Sequence, residues 1–148
     1  MATAQRQASI VWTGPLTSGS GELEFASSGI GTYPVTWVSR VERPDGMTSP
    51  EELLAASHAS CYVMAFNATL NRSEIEPERL HVTATVSLEP KEGGGFQVTR
   101  SELVATGTVA GLDQERFQQL AEQAEQGCPI SNSLRGNVEI TVSATLES

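Results

Sequence analysis

Two side chains of this 148-residue chain are thiols, Cys61 and Cys128. A thiol acts as a nucleophile only as the thiolate, which forms at neutral pH when a cation, a metal or a helix N-terminus lies close by. Unaided, a cysteine is a small hydrophobe, and that is the ordinary reading of both. Thr48 and Ser49 before Pro50, followed by Glu51 and Glu52, mark a helix start, which places Cys61 mid-helix. The helix dipole fades within the first turn, so Cys61 needs a fixed positive charge, and arginine is suited because it keeps its proton. Arg40 and Arg43 precede the helix and are the only basic residues between Arg6 and Arg72. Glu51 or Glu52 could orient such a guanidinium through paired hydrogen bonds. Ten residues of straight helix hold Glu51 roughly 15 Å from Cys61. Either an arginine bridges them through a bend in the chain, or the Arg/Glu pair comes from a partner subunit. Cys128 lies between Gly127, which ends a second helix, and Pro129, a junction able to reshape as a cysteine moving to meet another sulfur requires.

Other reactive side chains have plainer explanations. His58, three residues before Cys61, could form a Cys–His pair for acyl transfer, but a hydrogen-bonded packing histidine is the expectation. His81 opens a strand and is expected at the surface. A zinc site built from Cys61, Cys128, His58 and His81 has no ligand spacing to support it. Asn67 and Asn71 begin glycosylation sequons, yet MATAQRQASIVW lacks the charged start and apolar run of a secretory signal, so neither should be modified and a cytoplasmic location is expected. Tyr62, Met64 and Phe66, with Met47 and Ile130, could line an apolar channel but are expected mainly in the core. Trp12 and Trp37 are expected to pack within strands.

The elements that position these residues follow from pattern. Short strands are predicted at 8–14, 21–27 and 33–39, a Pro- and Gly-containing loop before Pro50, and a helix over 50–70. Strands at 81–90 and 96–110 flank the Gly93-Gly94-Gly95 turn, Asp113 caps a second helix over 114–126, 130–136 is turn-like, and the last strand spans 137–146. This is an α+β chain with antiparallel sheets. The long helix is nearly free of charge after Glu52 and needs cover on all sides. A homodimer burying it would supply that cover, and a sheet wrapped around it within one subunit is the alternative. Hydrophobic residues make up 39%, as in a globular domain, and no apolar run is long enough to span a membrane. The net charge of −9, with Lys91 the sole lysine, argues against a nucleic-acid partner.

The run SPEELLAASHASCYVMA resembles the NPEEL…AAHAACFSMAL signature of the OsmC/Ohr family, and GCPIS resembles its second motif, GCPxS. The separation of the cysteines, the arginine before the helix and the βββαββαβ order agree with it along essentially the whole chain. His58 and the Pro-Ile-Ser after Cys128 favour the OsmC branch. The resemblance implies a single OsmC-like domain over 1–148, with antiparallel sheets around a buried central helix and an intertwined homodimer. It also implies a cysteine-based peroxidase that reduces organic hydroperoxides to alcohols in oxidative or osmotic stress defence. Cys61 would be the peroxidatic cysteine, Cys128 the resolving one, Arg40 the arginine holding the thiolate, and Glu51 its carboxylate partner. The loop RVERPDGMTSP is one residue longer than in such relatives, so Arg43 competes with Arg40, while Ser49 replaces the usual Asn at the cap. No metal or flavin is implied, and a lipoyl or small dithiol would be the reductant. A non-catalytic dimeric binding module with structural cysteines is the rival from another class.

Overall fold

The Gly/Ser-rich stretch at 14–21 turns the chain back on itself, so that β1 (Ser9–Thr13) pairs antiparallel with β2 (Ser20–Glu24), and β3 (Thr32–Val35) joins on the other side. Gly21 sits opposite Trp12, and a Cβ there would come within 2.8 Å of Ile10 Cδ1, so this position must stay bare for the two large side chains. Pro34 is tolerated because β3 is an edge strand. The third predicted strand ends four residues early. Thr36 and Ser39 form a reciprocal capping box, each side chain accepting from the other's backbone N–H at 3.0 Å, and this starts the five-residue helix α1 (Trp37–Val41). Trp37 is therefore helical. Thr48 N–H bonds Pro34 O at 3.1 Å, tying the following loop back to β3, and Ser49 Oγ accepts from Glu52 N–H at the start of α2 (Pro50–Arg72).

The computed structural model describes residues 1–147, in two compact units, Met1–Leu53 and the residues from Leu54 onward. Ser148, the last residue of the expected single domain, lies outside the described residues. The first unit holds the sheet β1–β2–β3 and α1. The second holds the rest of α2, then β4 (Arg79–Pro90), β5 (Phe96–Thr108), α3 (Gln114–Gln126), α4 (Pro129–Leu134) and β6 (Glu139–Glu147).

In the second unit β4 and β5 form the predicted antiparallel hairpin, closed by Gly93, Gly94 and Gly95, all at positive φ. β6 departs from expectation by running parallel to β5. The chain crosses over through α3 and α4 before returning, and such a crossover delivers a strand in the same direction as the one it left. The segment expected as a turn after Cys128 is the six-residue α4, opened by Pro129 at its first turn. Asp113 Oδ1 caps α3 through Arg116 N–H at 2.8 Å, as expected. Two glutamines of α3 reach across to β6. Gln118 accepts from Ala144 N–H at 2.7 Å and donates to Val142 O at 3.2 Å, while Gln114 accepts from Leu146 N–H at 2.7 Å and donates to Ala144 O at 2.8 Å. They occupy four backbone groups on the outer edge of β6, which would otherwise be an open strand edge.

The core gathers Tyr62, Phe66 and Leu70 of α2 with Leu103 of β5 and Phe117 and Leu120 of α3, all at most 1% exposed. Phe66 and Phe117 stack at 5.1 Å between ring centroids, and Gly107 leaves the room that Phe117 fills, since a Cβ there would meet its Cζ at 2.6 Å. α2 thus buries one stripe, while Met64 on another side is 66% exposed. No helix of the described residues is long and apolar enough to cross a membrane.

Candidate active site

In the first unit the two rival arginines separate cleanly. Arg40 lies in the last turn of α1 and meets Glu51 in the first turn of α2: Nη2 donates to Oε1 at 2.9 Å, and Nε donates to Oε1 at 3.1 Å and Oε2 at 3.3 Å. This forked pair fixes the plane of the guanidinium as a single contact could not. Glu51 is buried and also lies where the helix dipole favours a negative charge. Glu52, the other candidate carboxylate, instead accepts from Thr48 Oγ1 at 2.6 Å. Arg43 is exposed and makes only loose ion pairs with Glu42 at 4.0 Å and Asp45 at 3.6 Å. A hollow of about 210 Å³ borders Arg40, walled by Ile10, Trp12, Leu16, Val35 and Trp37. The two tryptophans thus line a cavity, and Trp12, expected to pack within its strand, is exposed.

In the second unit the thiols adjoin. Cys61 is half-buried on α2, Cys128 is fully buried at the N-cap of α4, and both are free. Burial pushes the Cys61 thiol up, the Ile130 backbone N–H opposes by donating to it, and the neighbouring Cys128 raises it again. Those neighbours include no cation, so they leave Cys61 mostly protonated at neutral pH.

His58 is fully buried and both ring nitrogens are taken: Nδ1 lies 2.6 Å from Ser101 Oγ and Nε2 lies 2.7 Å from Ser131 Oγ. That is the hydrogen-bonded packing histidine expected, and it leaves no nitrogen to deprotonate Cys61. Burial lowers its pKa, with Glu125 pulling the other way. Glu125 is itself buried and faces Arg135, whose Nη2 lies 2.8 Å from Oε1, while Gln126 donates to its other oxygen. Tyr62 donates to Ala121 O at 2.8 Å, and burial first, then Glu125, holds its phenol well above the usual range. His81 is exposed, as expected. Of the possible channel residues, Tyr62 and Phe66 belong to the core, and Met64 borders an open groove with Val63, Asn67 and Leu80.

Ser101, Ser131, Glu125 and Arg135 were not singled out from sequence. Ser101 had one signal, a polar residue on the face of β5 that otherwise buries Leu103 and Ala105. Ser131 stands three residues after Cys128, as His58 stands three before Cys61, but nothing local pairs the two.

The comparison with known proteins agrees with these two cysteine-bearing motifs. A family model described as OsmC-like protein matches residues 43–143. The chain is 33% identical over 146 residues to peroxiredoxin OsmC of Escherichia coli (strain K12), covering 99% of each. It is 30% identical over 133 residues to organic hydroperoxide resistance protein OhrB of Bacillus subtilis (strain 168), covering 88% of this chain and 95% of the relative. The crystal structure of an organic hydroperoxide resistance protein OsmC from Legionella pneumophila matches with a TM-score of 0.76 at 28% identity, covering 97% of this chain and 99% of that one. Motifs, fold and near full-length identity therefore converge, and the chain belongs to the OsmC family.

Proposed function

We propose that this protein is a thiol peroxidase reducing organic hydroperoxides to alcohols, with Cys61 as the attacking thiol and Cys128 as the resolving one. The observation that carries the proposal is the apposition of two free thiols from different helices, α2 and the start of α4. The names of its relatives, a peroxiredoxin and an organic hydroperoxide resistance protein, support the substrate class. The Cys61 thiolate attacks the distal peroxide oxygen. An S–O bond forms, the O–O bond breaks, and the leaving alkoxide takes up a proton as the alcohol, leaving Cys61 a sulfenic acid. The Cys128 thiolate then attacks that sulfur; the S–S bond forms and hydroxide leaves as water after protonation. A lipoyl or other small dithiol restores both thiols by exchange and is itself oxidised to a disulfide.

Arg40 supplies the positive charge that the immediate neighbours of Cys61 lack. Glu51 sets its direction, and the hollow beside it offers apolar contact to an organic substituent. In the transition state the same guanidinium donates to the peroxide oxygens as charge moves onto the leaving one. The working unit is a homodimer, in which the second copy covers Met64 on α2 and the apolar residues Ile10, Val11, Leu16 and Ile30, all more than half exposed in one chain. Its role is the removal of organic hydroperoxides in the cytoplasm under oxidative stress.

One equivalent of cumene hydroperoxide, followed by mass spectrometry, tests the proposal. An intramolecular Cys61–Cys128 disulfide is expected, Cys61→Ser should abolish peroxide consumption, and Cys128→Ser should retain the sulfenic acid. Thiols that stay reduced beside intact peroxide would end the enzymatic reading and leave the binding module with structural cysteines.

A further inference from the structure

We infer that His58, Ser101 and Ser131 form a buried pin that holds Cys128 in register with Cys61, making His58 a positioning residue for disulfide closure. This rests on the peroxidase reading only for its biological use. α4 is six residues long, and Cys128 at its N-cap has no side-chain cap bond. Some of the attachments of this segment run back to the end of α3: Asn132 Nδ2 donates to Gln126 O at 3.2 Å, and Nη2 of Arg135, the residue after α4, lies 2.8 Å from Glu125 Oε1. Two attachments reach α2 instead: the Ile130 N–H donates to Cys61, and the Ser131 hydroxyl meets His58 at 2.7 Å, one turn before Cys61. His58 is in turn fixed from the far side by Ser101 on β5 at 2.6 Å. The bond between Ser131 and His58 lies next in sequence to the Ile130 N–H that donates to Cys61, so it secures the segment facing the thiol.

The chemistry of the three groups suits a fixed link. A neutral imidazole has one donor and one acceptor nitrogen, and a serine hydroxyl can serve either, so both ring nitrogens are satisfied with no water required. All three side chains are at 0% exposure, where losing a partner leaves a polar atom unpaired. The pin is therefore kept closed by its surroundings. Residues that collide from fixed positions react as if highly concentrated, and that advantage falls when one of them is loosened.

Equilibration of the full-length protein against glutathione redox buffers reads the effective concentration of the two thiols with no peroxide present. Ser131→Ala should lower it at least tenfold, and Ser131→Thr, which keeps the hydroxyl, should recover most of it. Circular dichroism confirms folding, and if Ser131→Ala does not fold, Ser101→Ala loosens the same pin from β5 and carries the same expectation. An effective concentration within twofold of the parent in the folded variant would overturn the pin. In a single turnover with cumene hydroperoxide and dimedone as sulfenic acid trap, the variant should consume the first equivalent at the parent rate yet accumulate trapped Cys61. A parent protein that leaves the peroxide intact sinks the peroxidase reading alone, because the redox-buffer comparison still decides the pin.

Discussion

The distinction between Arg40 and Arg43 turns on how each charge is held. Arg43 is spread over two loose contacts with exposed acids, whereas Arg40 is held by a forked pair to a buried carboxylate. Arg40→Ala should therefore lower kcat/KM for an organic hydroperoxide by about 100-fold, the usual loss when one transition-state donor is removed. Arg43→Ala should stay near the parent value, and steady-state kinetics showing the reverse would move the role to Arg43. His58 offers a second residue-scale expectation. Its folded pKa is lowered from the ordinary 6.5 by burial, so the unfolded chain binds the extra proton first as pH falls. The stability linked to neutral His58 is complete above that ordinary value and is lost as pH drops from it towards the folded one. Urea unfolding at pH 8 and pH 5 should show a larger loss for the parent than for His58→Asn, and equal losses would contradict the assignment.

Among the elements, β6 shows how a helix can serve as cover for a sheet edge. Gln114 and Gln118 of α3, one turn apart, bond both N–H and C=O groups of β6. Gln118→Ala should cost about 1–2 kcal/mol, because Ala144 N–H loses its acceptor where it is partly buried. Hydrogen exchange should show Ala144 losing protection while the β4–β5 amides keep theirs. The helix starts at Pro50 and Gln114 and the glycine turn at 93–95 were legible because their signals lie within a few residues of each other. The early end of β3 was not, since the capping box of Thr36 and Ser39 outcompeted the alternation that extends the strand to 39.

For the whole molecule, the unresolved demand is cover for apolar surface. α2 buries the stripe from His58 to Leu70, while Met64 and the β1 residues Ile10 and Val11 remain more than half exposed. Light scattering at low micromolar concentration should give twice the chain mass, and a monomeric mass would contradict the homodimer. Met64→Glu should shift that equilibrium towards single chains and make the unfolding midpoint depend more steeply on protein concentration, as mass action requires.

The order of the residues determined the two cysteine motifs, the capped helix starts, the hairpin and the kinship they imply, since each is written in neighbours along the chain. Tertiary structure decided what distant neighbours do. It paired Arg40 with Glu51, returned β6 parallel to β5, set the two thiols side by side, and joined His58 to serines 43 and 73 positions away. Periodicity and capping report only the conformation of a local segment. Which buried polar groups meet depends on packing across the core, where an unpaired donor or acceptor is costly and partners are selected by geometry.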